Sequence, residues 1–318
     1  MDVKKQIANI GIVPVIVIDN AEDSVDLAKA LVAGGIPAAE ITFRTAAGQE
    51  SIRRVAKECP EVLVGAGTVF TVAQVDEAVK AGAKFIVSPG YYDAVVDHCN
   101  EIGIPCFPGC VNASDMTKAV NAGLEIVKFF PAEPLGGIKM IKNFTSVFPL
   151  KFMPTGGITP KTLMDYLENE KIAACGGTWM VKKDMINNHE WEKITSICKE
   201  SVQTMLGLSL AHVGINCENA EEAEKTARTL CALFGFAYKE GNSSIFAGSA
   251  VECMKAPFLG RNGHIAIGTN SVDRAVYHLG LSGVEFDEAT RKTDAKGNTK
   301  AIYLKGEYSG FAIHLMQK

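Results

Sequence analysis

Lys128 stands in an otherwise apolar, strand-like run, EIVKFFPAE. A charged ammonium is costly to bury in such surroundings, and a low-dielectric setting favours the uncharged amine. An uncharged amine attacks a carbonyl carbon and forms a Schiff base. The plainer alternative is a lysine turned outward between helices. Glu40 and Arg44 lie four residues apart in AAEITFRT, and in a strand that spacing puts both on one face. A carboxylate there relays protons during carbinolamine formation and bond cleavage. A guanidinium grips a substrate carboxylate through two parallel hydrogen bonds. A structural ion pair between the two is the competing reading. Gly156-Gly157 and Gly176-Gly177-Thr178 close two further runs. Backbone N–H groups at such turns, ahead of a helix N-terminus, suit a phosphate, although glycines also end strands at ordinary turns.

The elements that must position these groups repeat along the first two-thirds of the chain. Eight short apolar, β-branched runs end in Gly, Pro, Ser or Thr: residues 11–19, 38–45, 62–69, 85–90, 104–110, 125–132, 151–157 and 173–180. Amphipathic stretches such as AEDSVDLAKALVAGG and TVAQVDEAVKAGA separate them, and Val72, Val75, Ala78 and Val79 fall on one predicted helical face. Continuous apolar strands predict a parallel sheet covered on both faces. Eight βα units close most naturally into a (β/α)8 TIM barrel, with function at the C-terminal strand ends and phosphate after strands seven and eight. The segment 188–206 reads as the last helix, so the first predicted domain is 1–206.

EITFRT, VGAGTV, FIVSPG, IPCFPGC, VKFFPAE, PTGGIT and GGTWMV, in this order, resemble the 2-keto-3-deoxy-6-phosphogluconate aldolase family, which also contains the 4-hydroxy-2-oxoglutarate aldolases. The resemblance covers roughly residues 5–206. It implies that Lys128 is the Schiff-base lysine and Glu40 the general acid/base. It implies that Arg44 and Thr68 hold the pyruvate carboxylate, that Phe130 is an aromatic wall and that Pro89 lines the site. Gly156, Gly157 and Thr178 match the phosphate site; the family usually has Ser at the last position, and the hydroxyl is kept. The implied activity is class I aldolase cleavage to pyruvate and glyceraldehyde 3-phosphate, without a metal, in a homotrimer. The family's other substrate, 4-hydroxy-2-oxoglutarate, would give pyruvate and glyoxylate and needs no phosphate site.

After residue 206 the texture changes to an internal repeat. Residues 210–235 and 262–283 each read as strand then helix, and later strands follow in each half, ending in SAVECMK and FAIHLMQ. The pattern predicts an α+β domain of two βαβββ modules over 207–318, paired because neither buries its sheet alone. His212 and His264 occupy the same place in the two repeats, as do Glu252 and His314. Such paired modules resemble the vicinal-oxygen-chelate superfamily, which includes glyoxalase I. There the four positions bind a divalent metal, with Glu more often than His at the last. The resemblance implies a divalent metal on His212, Glu252, His264 and His314; three imidazoles and a carboxylate suit Zn²⁺, Ni²⁺, Mn²⁺ or Fe²⁺. The alternatives for this domain are ordinary hydrogen-bonded strand residues, a metal-dependent activity of its own, or a metabolite-sensing module. His278, His98 and His189 read as helix residues, His278 on a surface helix.

Composition bounds these readings. Lys+Arg 32 against Asp+Glu 36 leaves a net charge of −4, which argues against a nucleic-acid binder relying on a basic face. Hydrophobic residues at 47% and charged residues at 21% exclude a disordered chain. No apolar run approaches the ~20 residues needed to span a bilayer, and the first residues lack the pattern of a secretory signal. Nine irregularly spaced Cys read as buried thiols in a reducing cytoplasm, and the Cys106/Cys110 pair lacks the usual metal or redox spacing.

Overall fold

The computed structural model describes residues 2–318. They divide into two compact units, the first ending at Met205 and the second spanning Leu206–Lys318. In the first, strands β1 (Ile12–Ile16), β2 (Ala38–Thr42), β3 (Leu63–Gly67), β4 (Ile86–Ser88), β5 (Cys106–Pro108), β6 (Ile126–Phe129), β7 (Lys151–Pro154) and β8 (Cys175–Gly177) alternate with helices. The helices are α1 (Val3–Ile10), α2 (Ser24–Ala33), α3 (Gly48–Glu58), α4 (Val72–Ala81), α5 (Asp93–Glu101), α6 (Ala113–Asn121), α7 (Gly137–Thr145), α8 (Leu163–Leu167), α9 (Lys183–Asn187) and α10 (Trp191–Leu206). A parallel six-stranded sheet runs β5-β4-β3-β2-β1-β8, and β6 pairs β7. Single bridges at Gly109–Lys128 and Thr155–Gly176 link β6 and β7 to their neighbours at either end. The unit is therefore a TIM-barrel-like α/β fold.

Local chemistry explains these elements. Strands β1, β2 and β3 are buried at every residue, as a parallel sheet requires when side chains fill one face and helices cover the other. Thr71 and Asn112 accept hydrogen bonds from the backbone N–H of Gln74 and Asp115 and so start α4 and α6. Gly82, at φ 106°, ends α4 in a backbone region closed to most side chains. The buried stripe of α4 is Val75, Ala78 and Ala81; Val79, expected on that face, is 39% exposed. The i, i+3, i+6 stripe turns Val79 about 100° away from Ala78.

The second unit is α+β. Strands β9 (Ser209–Asn216), β10 (Tyr238–Glu240), β11 (Ser244–Ala247), β12 (Val251–Met254), β13 (Gly263–Thr269), β14 (Phe286–Thr293), β15 (Thr299–Leu304) and β16 (Phe311–Gln317) accompany helices α11 (Ala220–Phe234) and α12 (Val272–Leu281). The sheet order is β10-β11-β12-β9-β13-β16-β15-β14. Each half runs strand, helix, three strands, and its last strand returns parallel to its first. The halves join where β9 pairs antiparallel with β13. Asn219 and Ser271 cap the two helices in the same way, accepting from Glu222 and Arg274. His278 lies on α12 but is buried at 6% exposure, not on a surface face. His98 lies on α5, whereas His189 sits between α9 and α10 with φ 54°, close to Asp23 at 3.0 Å.

Candidate active site and a second cluster of ligating side chains

Lys128 is the third residue of β6 and Glu40 the third of β2. Both point into the first unit's core, at 5% and 0% exposure. Lys128 Nζ donates to Glu40 Oε1 at 2.9 Å across 88 residues of sequence. Glu40 Oε2 is buried without a hydrogen-bond partner among the described residues, so one oxygen of this carboxylate remains open to a hydroxyl or a water. Phe130 follows β6 and lays its ring 5.7 Å from Lys128 Nζ. One amine, one carboxylate and an aromatic face thus share a desolvated space.

Arg44 departs from the expected placement. Strand β2 ends at Thr42, so Arg44 lies in the following turn and is exposed. It forms no ion pair with Glu40; its Nε donates to Thr68 Oγ1 at 3.3 Å. The strand alternation that would have aligned residues 40 and 44 stops before residue 44. The turn instead carries the guanidinium to the strand mouth, beside the turn after β3. Thr68 holds φ 60°, an uncommon conformation for a β-branched residue and one that clusters at ligand sites. Pro89 follows β4, and Gly156, Gly157 and Thr178 follow β7 and β8, so these groups, like Arg44 and Thr68, lie just past C-terminal strand ends. Gly156 and Gly157 hold φ 100° and 83°. The loop after β6 is laced to them: Ala132 N–H donates to the Thr155 carbonyl at 2.8 Å and Glu133 N–H to the Gly156 carbonyl at 3.1 Å.

Two residues of this region were not singled out from sequence. Gly67 ends β3, and a Cβ built there would lie 2.4 Å from Glu40 Oε1. Its absence is what lets the carboxylate face Lys128. A glycine inside a strand run is a sign of close approach as well as of a turn. Tyr166 on α8 is fully buried and hydrogen-bonds Glu133 Oε1. Burial, followed by that bond, pushes the phenol above its ordinary range, so it stays a donor.

In the second unit four ligating side chains converge. His212 (β9), His264 (β13) and His314 (β16) are buried, and their ligating nitrogens lie within 4.8 Å of one another. Glu252 (β12) places Oε2 3.1 Å from Nε2 of both His212 and His264, which are themselves 3.1 Å apart. Strand register explains the convergence. Phe246, Glu252, Gly214 and His264 form one row across the sheet, and Tyr303, His314, Ala266 and His212 form another. Each row has a small residue between two ligating ones. A Cβ at Gly214 would lie 2.1 Å from the His264 ring.

Three atoms mutually 3.1 Å apart cannot all be hydrogen-bonded. Both imidazole N–H groups can donate to this one carboxylate oxygen, which leaves the contact between the two histidines unbonded. His314 Nδ1 and Nε2 are buried without a partner among the described residues, so these side chains could hold a cation. Burial would raise the Glu252 carboxyl, but hydrogen bonds from His212, His264 and Ser244 overcome it and hold the group well below the usual carboxylate range. Burial, together with His264 and His212, pushes His314 down to about 4, which keeps its imidazole neutral at neutral pH. The Tyr303 ring stacks on His314 at 4.7 Å and 28°.

Comparison with known proteins places the first unit. The family model described as KDPG and KHG aldolase matches residues 3–197. The 2-dehydro-3-deoxy-phosphogluconate aldolase of Treponema pallidum is 41% identical over 195 residues, covering 61% of this chain and 93% of the relative. The KHG/KDPG aldolase of Escherichia coli K12 is 40% identical over 193 residues, covering 60% and 91%. Among solved structures, the KDPG aldolase of Legionella pneumophila, with pyruvate captured at low pH as a covalent carbinolamine intermediate, aligns with a TM-score of 0.60. It is 38% identical and covers 62% of this chain and 97% of that one. Because the family model spans more than half of the 318 residues, this chain belongs to the KDPG and KHG aldolase family and is a carbon–carbon lyase.

Proposed function

We propose that the first unit is a class I aldolase that cleaves 2-keto-3-deoxy-6-phosphogluconate to pyruvate and glyceraldehyde 3-phosphate. The observation that carries this reading is the buried 2.9 Å contact between Lys128 Nζ and Glu40 Oε1. In the neutral form of the pair, the amine adds to the C2 ketone. Glu40 returns the proton to the carbinolamine oxygen, and water leaves. The resulting iminium accepts the electron pair of the C3–C4 bond as it breaks. The C4 hydroxyl proton passes to Glu40, directly or through water, and the aldehyde departs. Protonation of the enamine at C3 and hydrolysis of the imine release pyruvate and regenerate the amine. Arg44 and Thr68 hold the keto-acid carboxylate, Phe130 and Pro89 wall the site, and Gly156, Gly157 and Thr178 take the phosphate.

Borohydride added with pyruvate should reduce the imine and leave a mass adduct on Lys128, and Lys128→Met should reduce pyruvate release to background. Activity equal to wild type in that variant overturns the assignment. A preference for 4-hydroxy-2-oxoglutarate over the phosphorylated substrate would instead assign the family's other reaction. The same resemblance implies a homotrimer, which sedimentation equilibrium tests as a mass near three times 34.0 kDa.

A second reading concerns the second unit, read as a glyoxalase-like domain of two paired modules over 207–318. We infer a divalent transition-metal site held by His212, Glu252, His264 and His314. The buried ring nitrogens of His314, without a hydrogen-bond partner among the described residues and within 4.8 Å of the ligating nitrogens of His212 and His264, support it. A bound ion would supply Lewis-acid polarisation of a ligand oxygen there. Metal analysis after reconstitution with Zn²⁺, Ni²⁺, Mn²⁺ or Fe²⁺ tests this; no retained ion favours a sensing module without metal.

A further inference from the structure

The two halves of the second unit provide an internal comparison. Their pairing superposes strands β11, β12 and β9 on β15, β16 and β13. Phe246 stands opposite Glu252, and Tyr303 opposite His314. Two residues further along, Ser244 stands opposite Met254 and Ala301 opposite Met316. Ser244 and Ala301 are therefore counterparts, just as Glu252 and His314 are. The half with a carboxylate has a hydroxyl beside it, and the half with an imidazole has a methyl.

Ser244 is 5% exposed, and its hydroxyl donates to Glu252 Oε1 at 2.5 Å. The other oxygen, Oε2, faces His212 and His264. We propose that Ser244 is a positioning residue for the metal site: it occupies Oε1, so that Glu252 offers a single oxygen, Oε2, to the ion. This inference rests on the metal reading above. Without the hydroxyl, the carboxylate is free to rotate about its last bond, and Oε1 is a buried acceptor without a donor. Hydrogen bonds of this kind orient ligating carboxylates, and their loss typically costs ~10–100-fold in metal affinity.

The test is the affinity of the full chain for Co²⁺ and Zn²⁺, measured by chelator competition, together with the Co²⁺ visible absorption spectrum. Ser244→Ala should weaken binding about 10–100-fold and change the Co²⁺ spectrum. Ser244→Thr, which keeps the hydroxyl, should restore both to near wild type. In a Glu252→Gln background the Ser244→Ala change should shift affinity less than two-fold, an outcome a merely structural serine would not produce. If Ser244→Ala fails to fold, Ser244→Cys replaces it and should fall between wild type and the expected loss. Wild-type affinity and spectrum in the substituted, folded protein overturn the inference and leave the metal site standing. A wild-type chain that binds neither ion overturns both.

Discussion

At the residue scale, the first unit rests on a buried pair that is costly to separate. Removing one partner of a buried ion pair typically costs ~3–5 kcal/mol, because the other charge is left uncompensated. The geometry of the pair depends on a neighbour with no functional group. Gly67→Ala would set a methyl 2.4 Å from Glu40 Oε1 and 2.7 Å from its Cγ, and the carboxylate must move. We expect kcat for pyruvate release to fall by about 10²-fold or more, the range that a misplaced acid/base group forfeits, with an unchanged far-ultraviolet spectrum. Activity within two-fold of wild type would mean that Glu40 need not face Lys128. Lys128 was legible in sequence because its oddity is local, one charge in an apolar run. Gly67 was hidden because its reason lies in a side chain 27 residues away (67 against 40).

At the scale of elements, the loop after β6 and the turn after β7 form one hydrogen-bonded piece, and α8 holds it through Tyr166 and Glu133. A Cβ on Gly157 would lie 2.7 Å from the Glu133 Cβ, so the loop and the turn are in contact with no room between them. Tyr166→Phe removes the hydrogen bond that ties Glu133, an exposed residue, to α8, a loss of roughly 0.5–1.5 kcal/mol. If that piece carries the phosphate, the variant should raise KM for the phosphorylated substrate several-fold, with a smaller change in kcat and little effect on the unphosphorylated one. Equal changes for both substrates would detach the turn from phosphate binding. The glycine pair itself was readable from its place after a strand. The Tyr166 strut was not, because a tyrosine in an amphipathic stretch looks like any core aromatic. Arg44 shows the reverse error: a strand alternation was extended two residues past the true end of β2.

At the scale of the whole molecule, the two units should respond to different variables. The class I chemistry proposed for the first involves no metal, so chelation with EDTA should leave pyruvate release within two-fold of its starting value. The same treatment should lower the unfolding temperature of the transition that belongs to the second unit, since an ion bound only by the folded state at 100 times its Kd adds about 2.7 kcal/mol. His314 adds a pH dependence in the metal-free chain. Its folded value is pushed down to about 4, while the unfolded chain takes up the proton near 6.5. The unfolded state therefore binds more protons between those values, so the unit loses stability as pH falls from about 6.5 to about 4 and not above. Calorimetry of His314→Gln should show that slope flattened; an unchanged slope would assign it to other groups.

By itself, the sequence determined the alternation of elements, the odd lysine and the matched histidines of the repeat. Each of these is written within a stretch of a few to some thirty residues, where periodicity, turn chemistry and repetition operate. Only the tertiary structure decided which groups meet: Lys128 with Glu40 rather than with solvent, Arg44 with Thr68 rather than with Glu40, and Ser244 with Glu252. Those meetings follow from strand register and from where each strand stops. Register is set by the packing of many side chains between strands distant in sequence, so no single segment carries it.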